Sequence, residues 1–197
     1  DPYQDIIQGF EKQSGGMKEV PLMVKSYMIS DYSSYRLHSY VRPANAFYFL
    51  RDMIGEKKFH KAIKTYIKRW AWKHPTPYDF FFTFEDVLNR DLSWFWNPWF
   101  FEFGAPDLAL GNVETNNNQH RIEIIREGNL PIPARLTIHY EDGSKERVRK
   151  TAAIWKAGNE KYVVLIANDK TIESVGLGGQ DIPDINRDNN FYPSNNQ

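Results

Sequence analysis

The sequence lacks cysteine, lacks long apolar runs and carries no net charge. With no Cys among its 197 residues, disulfides, thiolate nucleophiles and Cys-based metal sites are excluded. No stretch approaches the roughly 20 apolar residues of a membrane helix, so no transmembrane segment is predicted. The 25 basic and 25 acidic side chains cancel. The sequence also contains no long block of Lys and Arg. The charge therefore does not favour binding to nucleic acid, to an acidic substrate or to an anionic membrane.

The N-terminus offers neither an initiator Met nor a basic segment followed by an apolar run. It therefore does not predict a signal peptide. Because the sequence begins abruptly at Asp1, we expect a processed or truncated product.

The period of the apolar residues changes near residues 104–106, from helical to strand-like. Before this point, apolar side chains in 56–72 recur at spacings of three and four with lysines between them, which predicts a helix. Gly55 is expected to end the preceding helix. The apolar positions are Phe59, Ile63, Tyr66, Ile67 and Trp70.

A second helix start is encoded at residues 76–79. Thr76 can cap, Pro77 suits the first helical position, and Asp79 stands where a capping box needs an acid. This helix is expected to reach about Asn89.

A last helix, over 92–103, is apolar nearly all round, which predicts burial on more than one side. Asp91 is expected to cap it, and Pro98 is expected to kink or interrupt it. Its aromatic side chains predict packing between two layers. They are Trp94, Phe95, Trp96, Trp99, Phe100, Phe101 and Phe103.

After Pro106 the period becomes two, which predicts short strands. Residues 141–144 contain Asp-Gly and predict a hairpin turn, and the tail over 181–197 is expected to be irregular. So many short strands in so short a segment predict an antiparallel sandwich. The expected strands are 108–110, 121–126, 134–140, 146–154, 162–167 and 172–175.

The sequence offers no metal or nucleophile signature of its own. No His-Glu-x-x-His pair and no Gly-x-Ser-x-Gly turn occurs, so no metal site is expected in this chain. The glycines of 176–179 precede no helix and do not predict a phosphate site. Two interpretations of Asp181, Asp184 and Asp188 stay open, a calcium-binding loop and a solvated tail. The five histidines are His38, His60, His74, His120 and His139.

Tyr40 is the one candidate for chemistry in the segment 31–50. Pro43 predicts a helix start nearby and pushes Arg42 out of helical geometry, which places Tyr40 at or before a helix N-terminus. At this positive end a phenol could donate to an oxyanion. The alternative is an aromatic side chain used only for packing.

Several motifs, in order over about residues 20–110, resemble the stretch downstream of the zinc site in M1-type aminopeptidases (gluzincins). Two positions depart from the family: Arg42 stands where Lys is more usual, and Pro98 lies in a helix that the family does not interrupt. The motifs are Tyr40-x-Arg42-Pro43-Ala44, Phe49-Leu50-Arg51-x-x-Ile54-Gly55-Glu56-x-x-Phe59, Asp79-Phe80, Asp91-Leu92-Ser93-Trp94-Phe95, Trp99-Phe100 and Gly104-Ala105-Pro106.

In such enzymes a zinc-bound water attacks the peptide carbonyl, a Glu is the general base and a Tyr donates to the oxyanion. Of these residues, the resemblance assigns only the oxyanion-donating Tyr to this chain, at Tyr40. Tyr35 is a weaker candidate near the same cleft. Zinc, its ligands and the amine-binding residues are expected in a missing N-terminal part of the polypeptide. The parent would hydrolyse peptides from the N-terminus, and this chain alone would be inactive.

The fold class expected is α+β and multidomain. Residues 1–104 would be the helical C-terminal part of a thermolysin-like catalytic domain, and residues 105–197 a small antiparallel β-sandwich with an irregular tail. The alternatives are a non-catalytic scaffold that binds peptides or proteins, and a peptide-binding cleft without metal. Truncation predicts exposed apolar surface and self-association. The resemblance also implies an extracytoplasmic bacterial location, periplasmic or secreted.

Overall fold

A computed structural model of the chain describes residues 2–16 and 19–193. Helices occupy the first half and strands the second, so the predicted α+β class is confirmed. No helix among the described residues is both long and apolar enough to cross a membrane. The α-helices are α1 (Pro2–Gln13), α2 (Tyr32–Arg36), α3 (Arg42–Ile54), α4 (Glu56–Trp70), α5 (Pro77–Leu88) and α6 (Ser93–Trp96).

The local start and stop signals act as predicted. Gly55 ends α3 with a φ of 85°, a conformation that glycine adopts without the penalty of a Cβ. At α5, Thr76 and Asp79 form the predicted capping box and Pro77 begins the helix. Asn89 ends α5 in the left-handed conformation.

The predicted helix start at Pro43 is wrong. The chain is helical without a break from Tyr32 to Ile54, and a widened π-helical turn, Leu37–Val41, joins α2 to α3. Arg42 keeps right-handed helical geometry with φ −63° and ψ −49°. The extra residue in the turn accommodates the Pro ring, which in a regular α-helix clashes with the carbonyl four residues earlier.

A second widened turn, Asn97–Phe101, follows α6 and contains Pro98. Asp91 acts at the start of α6 as expected, since its carboxylate accepts a hydrogen bond from the Ser93 backbone N–H at 2.7 Å. Pro98 therefore widens this helix instead of breaking it.

The strands form two antiparallel sheets, one in the order β1-β2-β5 and one in the order β4-β3-β6-β7. The predicted hairpin at 141–144 joins β3 to β4, with Gly143 at a φ of 78°. The strand predicted over 146–154 is too long, because it ends at Lys150 and a 3₁₀ segment, Ala152–Gly158, follows. The strands are β1 (Leu108–Asn116), β2 (Gln119–Arg126), β3 (Ala134–Tyr140), β4 (Lys145–Lys150), β5 (Lys161–Ala167), β6 (Ile172–Leu177) and β7 (Phe191–Tyr192).

One buried core runs from the helices into the sheets. Two indoles anchor the segment that precedes β3: Trp99 donates from Nε1 to the Pro131 carbonyl at 3.3 Å, and Trp155 donates to the Ile132 carbonyl at 2.7 Å. Both halves therefore share their apolar interior, while the division at residue 104 stays a prediction.

Of the tail predicted to be irregular, residues 181–193 are more ordered than predicted, and residues 194–197 lie outside the described part of the chain. Asp184 is buried, and its carboxylate accepts hydrogen bonds from the backbone N–H of Leu108 at 3.2 Å and from the side-chain amide of Asn190 at 2.9 Å. Phe191–Tyr192 pairs with β6 as its edge strand. The solvated-tail interpretation is thus wrong for Asp184, which ties the tail to β1.

Gly128 is held against the segment that links the two halves. A Cβ there would overlap the carbonyl oxygen of Ala105 and lie 2.8 Å from the backbone nitrogen of Asp107. We expect Gly128→Ala to lower the free energy of unfolding by about 1–3 kcal/mol, because backbone atoms must move. The measurement is urea denaturation. Gly9→Ala in α1 is the control, since a Cβ at Gly9 meets nothing within 4 Å and Ala favours a helix; equal losses would contradict the steric cause.

Candidate functional site

Tyr40 lies on the outer side of the first widened turn. The turn is closed by the Arg42 backbone N–H, which donates to the Leu37 carbonyl five residues earlier. Leu37, His38 and Val41 point into the core, while the Tyr40 side chain is 60% exposed. Single π-helical turns occur frequently at functional sites. The fold therefore presents the Tyr40 phenol to solvent from a backbone that is itself packed.

Tyr35 lies beside Tyr40, one turn earlier. The two rings meet edge to face with centroids 5.9 Å apart, and the phenol oxygens are 3.5 Å apart. The hydrogen bond with Tyr35 and the electrostatic effect of Tyr35 raise the pKa of Tyr40. The structure thus brings the two predicted site residues together. A raised pKa keeps the Tyr40 phenol protonated, as a donor must be.

Arg42, two residues after Tyr40, is fully buried and caps the second widened turn. Its guanidinium donates to the carbonyls of Pro98 at 2.9 Å, Trp99 at 3.0 Å and Glu102 at 2.8 Å. These carbonyls are at the C-terminal end of a helix, where no backbone N–H follows to satisfy them. Arg42 and Pro98, the two positions that depart from the family pattern, are therefore joined by a hydrogen bond from the Arg42 guanidinium to the Pro98 carbonyl.

The charge of Arg42 is balanced by Glu19, a residue that the sequence analysis did not single out. The two side chains form a buried ion pair at 2.7 Å. The other carboxylate oxygen of Glu19 accepts from the Gly15 backbone N–H at 2.6 Å. No local pattern predicts this pair, because its partners are 23 residues apart.

His38 fastens the first widened turn to the segment before it. Its Nε2 accepts from the Val20 backbone N–H at 2.8 Å, and its Nδ1 faces the Ser34 carbonyl at 2.5 Å. Since Nε2 accepts, the proton of the neutral ring lies on Nδ1. Both nitrogens are used, so His38 is a structural residue and is not placed to bind a ligand.

The described residues do not fit a zinc site of their own. Across 2–16 and 19–193, no group of three or more His, Asp or Glu side chains is placed to hold a metal ion. His120 is buried between Thr115 and Asn168, which lie 2.9 Å and 2.8 Å from its two ring nitrogens. His60, His74 and His139 are exposed.

The chain thus combines a helical layer, which presents the exposed Tyr40 from a widened turn, with two antiparallel sheets. Residues 11–99 match the model of the peptidase family M1 domain. The resemblance predicted from the motifs is thereby confirmed for this segment, which contains Tyr35, Tyr40 and Arg42. The match ends before the sandwich begins.

The chain also resembles a solved structure, the crystal structure of Legionella pneumophila aminopeptidase A in complex with aspartic acid. The two share 21% sequence identity with a TM-score of 0.59, over 77% of this chain. This similarity supports the fold. The chain corresponds to 18% of the length of that protein. A comparison with curated proteins found no match.

Proposed function

We propose that this chain is the part of an M1-type zinc aminopeptidase that supplies the helical wall of the active-site cleft, with Tyr40 as donor to the oxyanion. The observation that carries the proposal is the exposed Tyr40 phenol on a widened turn within the segment that matches the M1 model. Another part of the polypeptide would supply the zinc ligands and the general base.

Tyr40 meets the requirements for such a donor. Oxyanion stabilisation needs a donor that is in place before reaction. Three neighbours of Tyr40 hold its turn in place. His38 and Arg42 make hydrogen bonds to other segments, and Val41 is buried in the core. Tyr35 would position the Tyr40 ring through its edge contact. The extracytoplasmic location inferred from the resemblance belongs to the same proposal.

The experiment that tests this function is made on the complete gene. The region upstream of the Asp1 codon is read for His-Glu-x-x-His and a following Glu, and the full-length protein is assayed for bound zinc and for release of N-terminal amino acids from peptides. Zinc-dependent release that a chelator abolishes supports the proposal. A reading frame without these ligands, or peptide binding without turnover, favours the non-catalytic scaffold or the metal-free cleft instead.

Exposed apolar side chains also support the expectation of a covering partner. Several large apolar residues of the helical half are more than half exposed, and a contiguous apolar surface of more than a few hundred Å² marks an interface. We expect the isolated chain to bind an apolar dye and to self-associate in sedimentation equilibrium. A monomer without dye binding would contradict this. The residues include Tyr27, Met28, Tyr32, Phe82 and Phe103.

A further inference from the structure

Helix α4 concentrates positive charge that the balanced composition of the chain conceals. Residues 56–74 contain seven Lys and Arg and one acidic residue, Glu56, which gives a net charge of 7 − 1 = +6. Arg69 pairs with Asp86 at 2.8 Å. Within the described part of the chain, no lysine of this segment lies within ion-pair distance of a carboxylate. Those lysines are Lys57, Lys58, Lys61, Lys64, Lys68 and Lys73.

Four of the lysines form a straight row along the helix. Lys57, Lys61, Lys64 and Lys68 are spaced by four, three and four residues, so at 3.6 residues per turn they fall within an arc of about 60°. All four are exposed and, with His60 and Thr65, they line an open groove of 480 Å³. We call these four lysines the basic row.

Two apolar side chains accompany the basic row. Ile67 is 57% exposed beside Lys64 and Lys68. Trp72, in the turn after the helix, is fully exposed and has a φ of 63°. For a bulky residue this left-handed conformation is a strained outlier. A fully exposed indole on a strained turn, directly before Lys73 in the chain, points to a partner with an apolar and an anionic part.

We propose that the basic row, with Ile67 and Trp72, docks on a surface of anionic phospholipid. Lysine stems extend along the apolar boundary while their ammonium groups reach the phosphates, and a Trp ring is amphipathic in the way that a membrane interface requires. Clusters of four or more basic residues on an amphipathic helix are typical of anionic-lipid binding. A nucleic-acid backbone would use the lysines but not the aliphatic Ile67.

The test is co-sedimentation of the protein with vesicles of phosphatidylcholine, with and without phosphatidylglycerol. We expect binding only to the anionic vesicles, and weaker binding at high salt because exposed charges are screened. Each basic side chain near such a surface increases partitioning by about fivefold. The combined variant Lys57→Gln, Lys61→Gln, Lys64→Gln should therefore bind about 100-fold more weakly. Trp72→Ala should bind about tenfold more weakly.

A matched control removes the same charge elsewhere. Lys145, Arg147 and Arg149 are exposed on the edge strand β4, and replacing all three by Gln should leave vesicle binding unchanged. An equal loss in this control would overturn the proposal, since attraction would then depend on net charge alone. Absence of vesicle binding, or binding of duplex DNA in its place, would also overturn it. All substituted side chains are exposed, so thermal melting should show intact folding.

Discussion

Replacing Tyr40 by Phe in the intact protein is expected to lower kcat for peptide hydrolysis by about 10²–10³-fold, the range measured when one oxyanion donor is removed. The substitution deletes only the hydroxyl oxygen. The ring would keep its edge contact with Tyr35, and because the side chain is largely exposed, the free energy of unfolding should change by less than about 0.5 kcal/mol. Turnover and urea denaturation measured together separate a chemical role from a folding role.

Tyr35→Phe is the matched control for that experiment. The Tyr35 hydroxyl lies 3.5 Å from the Tyr40 hydroxyl, a distance at which a hydrogen bond is weak. We expect a loss of kcat of less than about tenfold, since only the orientation of Tyr40 is affected. Unchanged turnover in Tyr40→Phe would remove Tyr40 from the mechanism. Equal losses in both variants would assign the effect to the pair of rings instead of to one donor.

Replacing Arg42 by Met is expected to lower the free energy of unfolding by about 3–5 kcal/mol, because it leaves the buried Glu19 carboxylate without its partner. It also removes the donors for the carbonyls of Pro98, Trp99 and Glu102. Arg42→Lys should lie between wild type and Arg42→Met, since an ammonium can face Glu19 but lacks the planar fork of donors. The measurement is urea denaturation followed by tryptophan fluorescence.

Two comparisons make this prediction specific. Arg69→Met removes an exposed pair with Asp86 and should cost less than about 1 kcal/mol. The double variant Glu19→Met, Arg42→Met should recover part of the loss, because no unpaired charge remains. If Arg42→Met cost no more than Arg69→Met, the burial of the ion pair would not contribute to stability.

The signals that could be read from the sequence are those whose partners are near in the chain. Gly55 ends a helix through its own backbone conformation, and the box of Thr76 and Asp79 spans three residues. The apolar period placed the helix over 56–72 and most of the strands, whereas α1 was not predicted, and the turn at 141–144 set the register of a hairpin. Each of these features depends on local chemistry alone.

The errors arose where distant contacts decide the conformation. The rule that a residue before Pro leaves helical geometry failed at Arg42, whose guanidinium donates to carbonyls 56 to 60 residues away. The solvated-tail interpretation, one of the two left open, fails for Asp184, whose partner Leu108 is 76 residues distant. No single-sequence pattern encodes such pairs.

The site itself was found by resemblance more than by pattern. The reason given from the residues for selecting Tyr40, a helix N-terminus, is wrong, since Tyr40 lies within a continuous helical segment. Its place on the widened turn and its proximity to Tyr35 emerged only from the structure. Tyr40 therefore remains a candidate because it is exposed on a widened helical turn, and not because it lies at a helix N-terminus as predicted.

The positive charge of residues 56–74 makes the distribution of charge along the chain uneven. The chain holds 25 basic and 25 acidic side chains, so with +6 in residues 56–74 the remainder carries 18 − 24 = −6. A protein with a pI near 7.2 would ordinarily adhere weakly to any ion exchanger at neutral pH. This one carries a local excess of +6 and should therefore be retained by a cation-exchange resin at low salt, held by the face that bears the basic row.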